Sequence, residues 1–197
     1  VEAIKLADMA DGFGVGTPYI VPRTQACDFS CDALQCVLAC PTGSLTHQIN
    51  YPREVHIGLA RLARPERCLA RRGQGFKGPA RGAEFQGRMR YLEVDRWNPI
   101  PIRDHPYDVG ICDLCVRECP IEIQIRRCEA GRPPSNNPDQ CPPRHALTLE
   151  PLPGPAGERR MTPVVGEGCV GCGVCEMICP TAPAAIVVDA GRIWGQA

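Results

Sequence analysis

Aromatic side chains are scarce in this sequence: four Phe, four Tyr and two Trp, 5% of 197 residues. A large side-chain core draws on such groups, so the interior must be organised by something else. Net charge is missing too. Twenty-two Lys and Arg balance twenty-two Asp and Glu, which leaves no overall field to draw nucleic acid. No run approaches the roughly 18 consecutive apolar residues of a membrane-spanning helix. No secretory leader is visible among these residues, and residue 1 is Val rather than Met. Paired carboxylates and Ser-His-Asp or Cys-His constellations do not occur in recognisable context. His47, His56, His105 and His145 are scattered and read as surface or packing residues. Trp97 and Trp194 read as packing or partner-contact residues. Gly12-Phe-Gly-Val-Gly16 lacks the spacing and following helix of a nucleotide loop and reads as a turn. No catalytic residue and no substrate chemistry are expected, so the chain is not read as an enzyme.

What the sequence does have is cysteine, fourteen of them, set among 20 Gly and 21 Pro. Cysteine at this density signals disulfides, zinc or iron–sulfur clusters, and spacing decides between them. Twelve fall into three blocks: Cys27, Cys31, Cys36 and Cys40; Cys68 with Cys112, Cys115 and Cys119; and Cys169, Cys172, Cys175 and Cys179. Each block ends in Cys-Pro, at Pro41, Pro120 and Pro180, so the ligands themselves form an internal repeat. Cys128 and Cys141 stand apart.

The third block matches the C-x2-C-x2-C-x3-C-P pattern of bacterial ferredoxins. Three thiolates of one tight loop reach three irons of a [4Fe–4S] cubane, and the cysteine before proline reaches the neighbouring cluster. Gly171 and Gly173 let backbone amides approach cluster sulfurs. The second block has the last three positions of the pattern, and Cys68 is assigned as its displaced first ligand. The first block is looser, with three and then four residues between its first cysteines, a spacing unlike the radical-type C-x3-C-x2-C loop. These features predict an electron carrier. The rival readings are the iron–sulfur subunit of a molybdopterin oxidoreductase and a zinc-binding structural or interaction module.

Short strands are predicted at residues 3–7, 145–149 and 185–188, and a helical turn around Met177 and Ile178. The fold class predicted is α+β: one polyferredoxin domain over residues 1–197, built of duplicated ferredoxin-like modules around [4Fe–4S] clusters. Residues 73–110 and 121–144, rich in Gly, Pro and polar residues, are predicted as loop insertions. Residues 61–90 carry nine basic residues against Glu66 and Glu84, read either as a docking patch for an acidic partner or anionic membrane, or as a solvated loop.

Three stretches resemble the NapG/MauM family of ferredoxin-type proteins. These are Gly16-Thr17-Pro18-Tyr19 with the widened first block and Cys40-Pro41-Thr42-Gly43-Ser44-Leu45, then Cys112 to Pro120, and Cys169 to Glu176. The resemblance implies four [4Fe–4S] clusters in two pairs and folded export to the periplasm. It also implies electron delivery between a membrane-bound quinol-oxidising iron–sulfur protein and a periplasmic redox enzyme, with membrane association through that partner. Family members serve nitrate reductase or methylamine dehydrogenase systems. The sequence departs from the family in lacking a first, upstream motif, in the wide first gap of its second block, and in its long insertions.

The rule that the cysteine before proline serves the paired cluster predicts one cluster on Cys27, Cys31, Cys36 and Cys119 and a second on Cys68, Cys112, Cys115 and Cys40. Cys169, Cys172 and Cys175 are then one thiolate short, and Cys179 is left for a cluster of a missing upstream motif. The segment Val1–Ala7 reads as the strand following that motif. This expectation gives two complete clusters in the chain, a third completed from upstream, and four in the full-length protein. The competing account has Cys128 or Cys141 complete the third block. Two readings of Cys128 and Cys141 stand: a disulfide in an oxidising compartment, or a free-thiol or ligand role, since Cys141 precedes Pro142.

Overall fold

The computed structural model describes residues 2–12, 14–29, 34–40, 48–49, 51–95, 97–154 and 158–192. Cys31, residues 41–47 and Trp194 lie outside them. Regular structure is mixed helix and strand, α+β, in small pieces. In chain order the strands are β1 (Ile4–Leu6), β2 (Pro18–Ile20), β3 (Leu59–Leu62), β4 (Phe76–Gly78), β5 (Arg88–Met89), β6 (Ile100–Pro101), β7 (Tyr107–Val109), β8 (Leu147–Leu152), β9 (Arg160–Val165) and β10 (Ile186–Asp189). The helices are α1 (Gln35–Leu38), α2 (Leu114–Arg117), α3 (Pro120–Glu129) and α4 (Val174–Ile178). Among the described residues every sheet is a two-stranded antiparallel ribbon: β1–β2, β3–β10, β4–β7, β5–β6 and β8–β9.

Two ribbons set the frame. β8 and β9 form a six-residue hairpin in which Leu147 faces Val165 and Leu152 faces Arg160. β10 returns to β3, with Ile186 opposite Leu62 and Asp189 opposite Leu59, so the end of the third block is fastened to the segment leading into Cys68. The strands predicted at 145–149 and 185–188 are β8 and β10; β8 begins two residues later and ends three later, and β10 is displaced by one. The helical turn at Met177 and Ile178 is α4.

The core is built on the cysteines. Its largest fully buried side chains are Ile102, Leu114, Ile121, Val174, Met177 and Ile178, most of them beside a cysteine of the second or third block. α3 shows why the chain folds this way locally. Cys119 is extended, Pro120 occupies the first turn where its missing N–H is no loss, and Arg126 and Arg127 complement the helix dipole in the last turn.

The segments expected as loop insertions are corrected here. Residues 73–110 contain β4 to β7 and put Ala80, Met89, Tyr91, Ile102 and Tyr107 into the core. Tyr91 stacks on His105 with ring centroids 3.8 Å apart, and its hydroxyl accepts from Tyr107 at 3.2 Å. These rings supply the packing that the Gly- and Pro-rich composition hid. The first third of 121–144 is α3, whose Ile121 and Ile125 are buried. Among the described residues no helix is long and apolar enough to cross a membrane.

Candidate metal centre

Glycine and proline shape the loops of the third and second blocks. In the third block Gly171 has φ +70°, and a Cβ there would lie 2.2 Å from the Gly58 carbonyl oxygen. Gly173, at φ +88°, opens α4 and lets Cys175 turn inward. The second block runs in parallel. The Cys112 amide donates to Gln74 O at 3.0 Å, α2 carries Cys115, and Cys119 precedes Pro120. α2 packs against α4, which brings the two loops face to face.

The thiols fall into two groups. Cys119, Cys169, Cys172 and Cys175 line one apolar cavity whose remaining wall includes Gly171, Gly173, Ile121, Leu147 and Val188. Cys179 sits close enough to Cys68, Cys112 and Cys115 to push each of their thiols up. Burial is the larger cause in every case. It drives Cys112 and Cys119 up to about 12, and Cys115, Cys172 and Cys175 well above the ordinary thiol range, with neighbouring cysteines adding to the rise.

Backbone amides point at the sulfurs. Ala185 N–H donates to Cys179 Sγ at 3.3 Å and Ala60 N–H to Cys169 Sγ at 3.5 Å. Further amides reach Cys68 from Arg71 and Ala70, and Cys119 from Glu122 and Ile121. Six of these thiols, Cys68, Cys112, Cys115, Cys119, Cys172 and Cys175, resist ionisation, so their thiolates are costly unless a cation compensates them. Among the described residues no three His, Cys, Asp or Glu side chains converge to hold a single ion. Four thiols spread around a cavity suit a cluster that presents a separate iron to each.

The thiol positions favour an exchange between the second and third blocks over the one predicted between the first and second. Cys119 lines the third-block cavity, and Cys179 acts on the thiols of Cys68, Cys112 and Cys115. The reason is geometric: α2 and α4 are packed partners, and each Cys-Pro turn delivers its thiol across to the other loop. The third block and Cys179, expected to lack partners within the chain, both have neighbouring thiols. Cys128 and Cys141 are not part of the third-block site, because they are joined to each other in a disulfide. Of the first block, the Cys27 amide donates to Cys172 O at 3.3 Å, Cys36 is exposed on α1, and Cys40 is half-buried.

Sequence reasoning missed the polar groups that hold these loops. Arg23 Nη1 donates to Glu176 O at 2.8 Å and Cys179 O at 2.7 Å, and its Nη2 donates to Thr181 O. Nothing in Pro22-Arg23-Thr24 announces this. Glu122 is buried and accepts from the Ala146 and Leu147 amides at 2.7 and 3.1 Å. Its position in the first turn after Cys-Pro was a legible signal.

The chain is 28% identical to the ferredoxin-type protein NapG of Escherichia coli over 187 residues, 95% of the chain and 57% of that protein. It is 29% identical to the methylamine utilization ferredoxin-type protein MauM of Paracoccus denitrificans over 186 residues, 94% of the chain and 57% of that protein. The chain is similar to the NapG and MauM ferredoxin-type proteins along almost its whole length. A MauM of Methylobacillus flagellatus is similar at 27% identity over 187 residues, again 95% of the chain and 55% of that protein. The chain thus spans little more than half the length of the curated relatives it matches. No protein-family model and no solved structure matches it.

Proposed function

We propose that this NapG/MauM relative relays single electrons through [4Fe–4S] clusters, one held by Cys68, Cys112, Cys115 and Cys179 and one by Cys119, Cys169, Cys172 and Cys175. One observation carries the reading: each site takes three cysteines from its own block and the cysteine before proline from the other. A bound [4Fe–4S] cluster supplies one-electron redox chemistry. The chain's part is to bury the thiolates, aim amides at them, and hold the two sites side by side through α2 and α4. On this reading the second and third blocks are a duplicated ferredoxin-like module, and Cys27, Cys31, Cys36 and Cys40 form a further cluster-binding block. The names of the relatives support the electron-transfer role.

The disulfide between Cys128 and Cys141 supports an oxidising compartment, the periplasm. Electrons would pass there between a membrane-bound quinol-oxidising iron–sulfur protein and a periplasmic redox enzyme.

The test is iron, sulfide and zinc analysis with EPR of the reduced protein. The two sites account for about eight irons and eight sulfides. Cys119→Ser removes the third-block signal and about four irons, and Cys179→Ser removes the second-block signal instead. Zinc in place of iron, or a Cys119→Ser protein with its third-block signal intact, overturns the reading.

A further inference from the structure

Five arginines, Arg61, Arg64, Arg67, Arg71 and Arg72, stand within the twelve residues that carry Cys68, accompanied by Glu66 alone among carboxylates. Among the described residues none of the five is ion-paired with a carboxylate. Three are anchored by neutral acceptors. Arg64 Nη1 donates to Ala184 O at 2.9 Å, Arg67 Nη1 to Ala182 O at 2.9 Å, and Arg71 Nη1 to Thr162 Oγ1 at 2.8 Å. Arg61, Arg67 and Arg72 are exposed. Neutral anchors hold a guanidinium in place without cancelling its charge, and they leave its other N–H groups for a partner.

The placement is specific to one site. Arg67 flanks Cys68, and the carbonyls held by Arg64 and Arg67 lie just beyond Cys179. Both cysteines belong to the Cys68–Cys112–Cys115–Cys179 group. The third-block cavity is walled by apolar side chains and glycine. A chain with no net charge therefore has a local cationic edge over one of its two thiol sites.

We propose that the Arg61–Arg72 edge is the docking surface for a redox partner whose own electron port is ringed by carboxylates, and that electrons cross at the Cys68 site. The proposal rests on the cluster reading given above. A protein partner is favoured over an anionic bilayer because the edge lacks apolar anchors. The large exposed apolar residues, Ile4, Leu6, Met9, Val15, Leu38, Leu92, Val94 and Trp97, all lie outside residues 61–72. Glu66 is the only carboxylate within residues 61–72, and among the described residues it has no ion pair with the arginines.

The test uses the cluster-loaded protein and two one-electron oxidants of opposite charge, the tris(oxalato)cobaltate(III) trianion and the hexaamminecobalt(III) trication. The reduced protein passes one electron to cobalt(III), giving cobalt(II). Steering by a cationic port makes the trianion's rate fall with added salt and the trication's rise. Arg61→Gln/Arg67→Gln/Arg72→Gln should slow the trianion roughly tenfold at low salt, within the range that steering produces. Arg61→Gln/Arg72→Gln, which touches no anchoring bond described here, should show a smaller drop in the same direction. Calorimetry with hexacyanochromate(III), which takes no electron, should show binding by the parent and its loss in the variants. A loaded protein that reduces both oxidants with no salt dependence overturns the proposal and leaves the cluster reading standing. Arginine-dependent co-sedimentation with phosphatidylglycerol vesicles, without the opposed salt effects, overturns it in favour of a membrane. Absence of iron and sulfide overturns both.

Discussion

Glu122 is the residue whose loss should be felt most directly. Its buried carboxylate takes the Ala146 and Leu147 amides on one oxygen and His145 Nδ1 at 2.9 Å on the other. Glu122→Ala strands two buried N–H donors, at a cost of about 3 kcal/mol. Urea unfolding of the loaded protein measures it. The hydrogen bond and charge of Glu122 hold the His145 pKa above its ordinary value. A raised folded pKa means stabilisation that is complete below the unfolded value, about 6.5, and is lost as pH rises through the folded one. Urea midpoints should therefore fall from pH 6 to pH 9, and His145→Gln should flatten that part of the slope. The effect is small, because the His145 side chain is 57% exposed.

At the scale of the element, the tight loops of the cysteine blocks leave least room for change. Gly171→Ala adds a Cβ 2.2 Å from the Gly58 carbonyl oxygen at φ +70°. Either the loop or the segment before β3 must move, so a loss of at least about 2 kcal/mol is expected together with loss of the third-block iron. Gly110→Ala is the control, since nothing lies within 4 Å of its added Cβ. Thermal unfolding and iron content of the two variants check the contrast. The same loops show what was readable in the sequence. The three cysteines of one loop share a local spacing, so the third block and the strand after it were legible. Which pre-proline thiol crosses to which loop depends on α2 packing against α4, and no local spacing encodes that. The segment 73–110 was misread for a similar reason. Its Gly and Pro content is that of a loop, while its packing comes from Ala80, Met89 and Ile102 and from Tyr91 stacked on His105 with Tyr107 tilted against it.

Across the whole molecule, long-range ties substitute for a large aromatic core. β10 closes onto β3, Arg23 clamps the carbonyls beyond α4, and the disulfide closes a loop of 13 residues. Arg53 binds that loop to the rest by donating to Asp139 O and Cys141 O. Cys128→Ser/Cys141→Ser should lower stability by about 2–4 kcal/mol while iron content stays unchanged, because neither cysteine lines a thiol site. Denaturation with parallel iron assay separates this from a ligand role, in which iron would fall.

The crossing of Cys119 and Cys179 also bears on how the protein is made. A ribosome that has released the chain only as far as the β8–β9 hairpin has exposed three thiols of one site and one of the other. The last thiol of each set, Cys179 or Cys175, lies in the third block, beyond that hairpin. Neither site can be filled on a half-made chain, and cutting between the two blocks would ruin both together. On the proposed cluster assignment, loading of either site must wait until the third block has emerged.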